Sequence, residues 1–317
     1  MKRFLAFAGF VVSFACAFYF VRAIAHHWEA ISNISWDSLV WMSMGVALII
    51  YTGTYSLTSY AWNCSLNVLG YPIPYRIALR ILVLSQFAKY LPGNVGHHVG
   101  RVMLAKRAGL PTDAVLGSMI LDTLVILVAA SFCSLWAVQL LIQIIRSQGT
   151  VSTHTIALIA SGGFLTVFIA TLLPVTRHAF SRQLRHVRHL AQMKNLPLFA
   201  KALAAHTGSV LAGGTALYLL CIAFAHSVLS ASWLDVTGIY AAAWLLGFLI
   251  PGAPAGLGIR EVALLLGLGP IFGTDVATAA AAALRMVTTL GDGLVFVSGF
   301  ALRGTNSKPS QTPGEAT

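Results

Sequence analysis

This chain of 317 residues has few charged side chains, and few of those are acidic. Only 9% of its residues are Asp, Glu, Lys or Arg, and 20 basic residues stand against 9 acidic ones. An ordinary soluble domain carries about 25% charged residues, so a soluble fold of this composition would lack polar surface. Hydrophobic residues make up 57% of the chain, and several apolar runs reach the roughly 20 residues that cross a bilayer. The composition therefore predicts an integral membrane protein.

Cysteine is scarce as well, and its pattern argues against metal or redox chemistry. The sequence has four cysteines, with no CxxC pair and no metal-ligand spacing, so we expect neither a metal nor another cofactor. It also lacks catalytic motifs such as G-x-S-x-G and H-E-x-x-H, which makes an enzyme the less favoured class. The net charge of +11 indicates cytoplasmic loops and not nucleic-acid binding, because no solvated basic domain is evident.

Two Pro-Gly breaks interrupt the apolar sequence. The first reads LPGNVGHHVGR from Leu91 to Arg101, and the second reads IPGAPAGLGIRE from Ile250 to Glu261. Proline and glycine end a helix and free backbone polar groups, which at membrane depth must lie within protein or beside a hydrated cavity. Broken helices at matching positions in two halves of a membrane protein indicate a transport site.

The fold that we expect is an all-α integral membrane protein with about six full spans and two re-entrant helical hairpins. The spans are predicted at residues 4–25, 39–61, 114–143, 155–174, 207–229 and 274–302, and the hairpins at 75–107 and 236–269. The order span, hairpin, span occurs twice with opposite orientation, which predicts an inverted repeat (39–143 and 207–302) within one polytopic domain (1–303). The alternative is that each Pro-Gly only kinks a full span.

Basic residues concentrate on one side of this topology, which places both termini in the cytoplasm by the positive-inside rule. Segment 177–201 alternates basic and apolar residues, a pattern typical of an amphipathic helix on the inner leaflet. An ordinary positively charged linker is an equally compatible interpretation. The polar residues 304–317 are predicted to be a disordered tail.

The breaks and the intramembrane charges supply the candidate binding residues. A half-helix N-terminus offers free N–H groups and a positive dipole end, and arginine adds charge-assisted donors to a phosphate. The candidate substrate-binding residues are Pro92, Gly93, Asn94, Gly96, Arg101, Pro251, Gly252, Gly256, Gly258, Arg260 and Glu261. Charge inside a span needs a partner or a wet cavity, which makes Asp122, Arg285 and Asp292 candidates for gating or ion pairing. The alternative is a structural pair, for example Arg260 or Arg285 with Asp122 or Asp292.

At these residues the chain resembles a known family. The stretch from Pro92 to Gly96 and on to Arg101, with Asp122 in the next span, resembles the first signature of the lysylphosphatidylglycerol synthase/flippase transmembrane-domain family. Residues 251–261, with Arg285 in the following span, resemble the second signature, in which a G-x-G-x-R-E core is typical. The resemblance covers residues 1–303, and a short polar tail stands in place of the aminoacyl-transfer domain of two-part members, so no synthase activity is expected.

The resemblance implies a multi-pass protein of the bacterial inner membrane that moves, or helps to move, an amphipathic lipid between leaflets. We therefore predict a lipid translocase for an anionic or zwitterionic lipid, with membrane lipids as partners, no nucleic acid, and a homo-oligomer left open. His97 and His98 stand where family members often carry an acidic residue, which weighs against a cationic aminoacyl-lipid. The alternatives are hopanoid-type lipid transport, a non-catalytic membrane partner of a lipid- or glycan-modifying enzyme, and an intramembrane transferase.

Overall fold

The structure, a computed structural model, describes residues 36–90, 96–148, 195–225, 232–250 and 254–302, with a few single residues before position 26. For residues 138–148 and Pro254 it describes the backbone alone. Several predictions fall largely or wholly outside the described residues: the spans at 4–25 and 155–174, the greater part of segment 177–201, the tail 304–317, and the break residues Pro92, Gly93, Asn94, Pro251 and Gly252.

The described residues form eight α-helices and no β-strand. The helices are α1 (Ser38–Val68), α2 (Tyr75–Gln86), α3 (Gly96–Arg107), α4 (Thr112–Gln148), α5 (Leu196–Ala225), α6 (Trp233–Leu249), α7 (Ile259–Phe272) and α8 (Thr274–Ala301). Two 3₁₀ turns occur at the breaks: Phe87–Tyr90 lies just before the first, and Pro254–Gly256 lies within the second. Helices α1, α5 and α8 and residues Thr112–Ala137 of α4 are long and apolar enough to cross a membrane. The prediction of an all-α membrane protein is confirmed for this part of the chain.

Three long helices extend beyond their predicted bounds. α5 begins at Leu196 and not at residue 207, so it includes the last six residues of segment 177–201. Pro197 fits the first turn of this helix, where its missing N–H would have had no partner in any case. α1 and α4 continue to residues 68 and 148, past their predicted ends at 61 and 143. Hydropathy marks only the apolar part of a helix, whereas backbone hydrogen bonding continues into the interface.

The short helices on either side of each break pack against each other, α2 on α3 and α6 on α7. A Cβ added at Gly100 of α3 would lie 3.5 Å from the Cβ of Ser85 on α2, and one at Gly267 of α7 would lie 3.2 Å from Cγ1 of Ile239 on α6. α2 and α3 have 12 residues each, which is about 18 Å at 1.5 Å per residue. Each of them is therefore too short to cross a hydrocarbon core of about 30 Å alone.

The packing of the eight helices divides into two matching groups of four, α1–α4 and α5–α8. The first helices of the two groups, α1 and α5, pack against each other. Every other principal helix contact of one group has a counterpart in the other when α1, α2, α3 and α4 are exchanged with α5, α6, α7 and α8. The matched contacts are α1–α2 with α5–α6, α2–α3 with α6–α7, α3–α4 with α7–α8, α1–α8 with α4–α5, α2–α8 with α4–α6, and α1–α4 with α5–α8.

Apolar side chains also cover much of the outer surface of the long helices. On α8, Met286, Leu290, Leu294 and Val297 are all exposed, and their spacing of three or four residues places them on one face. The buried face of the same helix carries Asp292, Thr288 and several alanines. An apolar exterior around a more polar interior fits a helix bundle surrounded by lipid.

The fit between α6 and α4 depends on a glycine. A Cβ at Gly238 would lie 2.5 Å from the backbone nitrogen of Ala137 and 3.1 Å from its Cβ. Because backbone cannot move aside, we expect Gly238→Ala to destabilise the protein by about 1–3 kcal/mol, the usual cost of overpacking. Thermal unfolding of the purified protein in detergent measures this as a lower Tm. Gly293→Ala on α8 is the control, since nothing lies within 4 Å of its added Cβ; equal Tm values for the two variants would contradict the close α4–α6 contact.

Candidate functional site

A cavity of about 220 Å³ opens among the long helices and both broken segments. Its wall includes residues of α1 and α5, Lys89 from the first 3₁₀ turn, and Ala255 and Gly256 from the second; the two turns contact each other. Tyr51 and Tyr55 line it from the middle of α1. The cavity therefore joins the two breaks at a level well inside the bundle.

The charged side chains in the cavity wall are mainly basic. Three cations, Lys89, Arg101 and Arg260, line it, whereas Asp122 is the one carboxylate among the described lining residues. His97, His98 and His206 also contribute to the wall. Because buried charge is costly without a partner, the partners of these groups decide which of them is available to a ligand.

Asp122 on α4 is shared by two basic residues from different helices. Its Oδ2 lies 3.4 Å from the Nη1 of Arg101 on α3, and its Oδ1 lies 2.8 Å from the Nε2 of His206 on α5. The guanidinium of Arg101 also lies over the ring of Trp62, 5.1 Å from its centroid. Asp122 is 6% exposed, Arg101 5%, and His206 fully buried. This cluster ties the half-helix after the first break to α1, α4 and α5.

Asp292 on α8 is the anchor of the first 3₁₀ turn. Its Oδ2 lies 2.8 Å from the Nζ of Lys89, and Tyr51 donates a hydrogen bond of 2.8 Å to its Oδ1. The hydroxyls of Tyr55 and Tyr90 donate to the same carboxylate. With these donors Asp292 is fully satisfied and 1% exposed, and it is absent from the described cavity wall.

Glu261 on α7 holds the second break in shape. Its Oε2 accepts a 2.7 Å hydrogen bond from the backbone N–H of Gly258, and its Oε1 lies 3.2 Å from the Nη1 of Arg285 on α8. Arg285 also donates to the carbonyl of Ala255. Gly256 and Gly258 have φ values of +69° and +82°, which glycine adopts without steric cost. The carboxylate of Glu261 therefore caps α7, at a place where an external anion was expected.

Arg260 is the cavity cation that has no carboxylate partner among the residues that the structure describes. Its guanidinium lies over the ring of Tyr240, 5.6 Å from the centroid, and it forms no salt bridge with any described carboxylate. Its stem passes between two glycines: a Cβ at Gly256 would lie 3.0 Å from its Cδ, and one at Gly247 would lie 3.1 Å from the same atom. Because neither glycine has a side chain, the side chain of Arg260 can extend between them to the cavity wall.

Four serine and threonine hydroxyls form another part of the wall, and each of them donates its hydrogen to a backbone carbonyl. Thr54 and Thr58 donate to the carbonyls of Tyr51 and Thr54. Thr123 and Ser209 likewise donate to carbonyls of their own helices. A hydroxyl carries one hydrogen and two lone pairs, so these four groups offer only acceptors to the cavity.

The structure brings together some of the sequence-predicted residues and separates others. Arg101, Gly256, Arg260 and Asp122 line the cavity, whereas Gly96, Gly258, Glu261, Arg285 and Asp292 do not. The ion pairs also differ from the structural pairs given as an alternative: Arg285 pairs with Glu261, Asp292 with Lys89, and Asp122 with Arg101. Arg101–Asp122 and Glu261–Arg285 each join a break to the long helix that follows it, whereas Lys89–Asp292 joins the first break to the long helix after the second.

Several site residues were missed by the sequence reasoning. Tyr51, Thr54, Tyr55 and Thr58 lie at helical spacing on one face of α1, and that repeat of hydroxyls is a signal that could have identified them. His206 had no such signal, because a lone histidine in an apolar helix resembles a packing residue.

A comparison with family models finds one family along nearly the whole chain. The model described as the lysylphosphatidylglycerol synthase TM region matches residues 6–295. No curated protein matches the chain. With this match and four helices long enough to cross a membrane, the chain is a multi-pass membrane protein of lipid metabolism or transport, and it belongs to the lysylphosphatidylglycerol synthase TM region family.

Proposed function

We propose that this protein is a lipid translocase that binds a phosphate-bearing lipid head group in the central cavity and carries it between leaflets. The observation that carries this proposal is Arg260, a cation in the wall of an internal cavity with no described carboxylate to neutralise it. Arg260 belongs to the second Pro-Gly break, whose motif is the more specific of the two in the sequence.

The chemistry of Arg260 favours an anionic ligand with several oxygens. Keeping an arginine inside a membrane protein is costly, and such residues mark substrate or ion pathways by default. The ring of Tyr240 stabilises the cation without removing its charge, and no described carboxylate forms a salt bridge with the guanidinium. A phosphate can accept two of them in a bidentate arrangement, while the acyl chains stay in the surrounding lipid.

The hydroxyl part of the wall supports a further property of the head group. Thr54, Thr58, Thr123 and Ser209 offer only acceptors, so a head group that fits them carries hydrogen-bond donors. Ethanolamine and glycerol head groups have N–H or O–H donors next to the phosphate, whereas choline has none. We therefore propose an anionic or zwitterionic lipid with a donor-bearing head group as the cargo.

The symmetric packing supports a mechanism of alternating access. We propose that α1–α4 and α5–α8 are inverted repeats, that the helical pairs α2–α3 and α6–α7 are re-entrant, and that the two repeats exchange conformations to open the cavity to one leaflet at a time. The pairs Arg101–Asp122 and Arg285–Glu261 hold the conformation seen here and exchange partners in the other. Transport and not bond-making chemistry is the proposed activity, in the bacterial inner membrane with both termini in the cytoplasm.

We expect Arg260→Gln to slow lipid movement by about 10- to 100-fold, which corresponds to losing a charge-assisted hydrogen bond of roughly 1.5–3 kcal/mol. The measurement is scrambling of acyl-labelled phosphatidylglycerol in liposomes that contain the purified protein. Arg107→Gln is the matched control, because Arg107 is exposed at the far end of α3. A folded Arg260→Gln protein that moves the lipid at the wild-type rate would contradict the proposed head-group contact.

The hydrogen-bond acceptors in the cavity wall predict a preference between two zwitterionic lipids of equal net charge. Acyl-labelled phosphatidylethanolamine should move several-fold faster than acyl-labelled phosphatidylcholine, because only the ethanolamine group has N–H donors. Thr58→Val should reduce this ratio, since valine keeps the shape of threonine and removes the acceptor. Thr52→Val on the same helix is the control: Thr52 hydrogen-bonds to Leu48 and Ile49 and does not line the cavity. Equal rates for the two lipids would exclude the wall as a determinant of selectivity.

A further inference from the structure

We propose that His206, held by Asp122, is a proton-binding site, and that one proton moves through this protein together with each anionic head group. The inference rests on the proposed transport function and adds its driving force, a proton gradient. It is carried by the Asp122 cluster, in which two basic side chains share a single carboxylate at the cavity wall.

The hydrogen-bond geometry identifies the atom that takes the proton. A carboxylate only accepts hydrogen bonds, so the Nε2 of His206, 2.8 Å from Oδ1 of Asp122, carries a hydrogen. The Nδ1 of the same ring is buried and has no hydrogen-bond partner among the described residues. Its lone pair is therefore the free basic site of a fully buried side chain that lines the cavity. Histidine is the side chain suited to proton exchange near neutral pH.

The charge of the cluster links this proton to the ligand. Asp122 balances the guanidinium of Arg101 when His206 is neutral, so a proton on Nδ1 leaves one uncompensated positive charge at the wall. An anionic head group in the cavity supplies the compensating charge. The proton and the head group therefore each strengthen the binding of the other by the same factor. One proton and one singly charged lipid together carry no net charge.

The charged and titratable groups near the cluster leave this role to His206. On the helices that pack against α5, Tyr51 and Tyr55 of α1, Asp122 of α4 and Tyr240 of α6 line the same cavity as His206, and the Cys64 thiol of α1 is buried beside Ala202 and Ala205 of α5. On α8 the groups are Arg285 and Asp292, which do not line the described cavity wall. Asp292 already accepts from Lys89, Tyr51, Tyr55 and Tyr90, and Arg285 is held by Glu261. Tyr51 and Tyr55 donate hydrogen bonds to Asp292, and the ring of Tyr240 lies against the guanidinium of Arg260.

His97 and His98 are the other histidines in the described wall, and their surroundings do not favour a positive charge. Their rings lie against each other with centroids 3.8 Å apart. A positive charge on one ring would therefore lie next to the other ring and not next to a paired carboxylate. The salt bridges of the described residues pair neither histidine with an acid, whereas His206 has Asp122. A proton that needs a counter-charge is therefore bound at His206.

Proteoliposomes of phosphatidylcholine with a trace of acyl-labelled phosphatidylglycerol test the coupling. The vesicles are given an alkaline lumen, about one pH unit above the outside, and the share of label protected from an external quencher is measured at steady state. Proton symport should drive the label into the inner leaflet, up to a ratio of about tenfold for one proton per lipid, since a tenfold ratio and one pH unit are each worth about 1.4 kcal/mol. A protonophore should return the label to an even distribution.

The variants identify the proton site. His206→Gln keeps an N–H donor for Asp122 and cannot take up the proton, so it should move label without accumulating it in the inner leaflet. Arg107→Gln, exposed at the far end of α3 and outside the cavity wall, should retain the response to the gradient. Loss of the response in His97→Gln but not in His206→Gln would overturn the assignment to His206. Thermal unfolding checks that each variant is folded.

The wild-type protein separates failure of the coupling from failure of the transport proposal. Movement of label to an even distribution, unaffected by the gradient, would overturn the proton coupling and leave translocation standing. No movement of label at any pH, with protein that is folded, would overturn translocation of this lipid and the coupling with it.

Discussion

The need to pair buried charge organises the interior of this protein. Asp122, Glu261 and Asp292 are almost inaccessible, and each is matched with a cation from another helix or turn. An unpaired carboxylate in this environment would cost several kcal/mol, so the pairs fix which elements can lie together. Each of these pairs joins a residue beside a Pro-Gly break to a long helix, which holds the described segments that flank the breaks against the long helices.

The same constraint explains why the two breaks differ in chemistry although their packing matches. After the first break the half-helix carries the cation, Arg101, and the long helix carries the acid, Asp122. After the second break the half-helix carries the acid, Glu261, and the long helix carries the cation, Arg285. Glu261 also caps its own helix, and the neighbouring Arg260 lines the cavity without a salt bridge to any carboxylate in the described part of the chain.

The cavity is polar in two distinct ways, and both follow from its position between helices. Serine and threonine within a helix satisfy their hydrogen on the preceding turn, which turns the helical wall into a surface of acceptors. The cations come from the segments at the breaks: Lys89 lies in a 3₁₀ turn, and Arg101 and Arg260 lie on the short helices α3 and α7. The wall therefore combines hydrogen-bond acceptors from long helices with positive charge from the break segments.

The sequence by itself determined the membrane class, the all-α fold, the family and the position of the second break. Apolar runs and Pro-Gly pairs determine where helices form and end through the local sequence, so these features can be identified without knowing any tertiary contact. The glycines at 256 and 258 are of this kind, since their positive φ values belong to the turn itself.

Only the tertiary structure decided which charges meet and which side chains face the cavity. The local sequence does not predict the contact of Asp292 with Lys89 or that of Asp122 with His206. These partners are more than eighty residues apart in the chain and are brought together by helix packing. The same packing placed Glu261 and Arg285 in a salt bridge beside the second break and placed Arg260 in the cavity wall. Pairing in a bundle depends on the relative rotation and depth of whole helices, and these are fixed only when all of them pack at once.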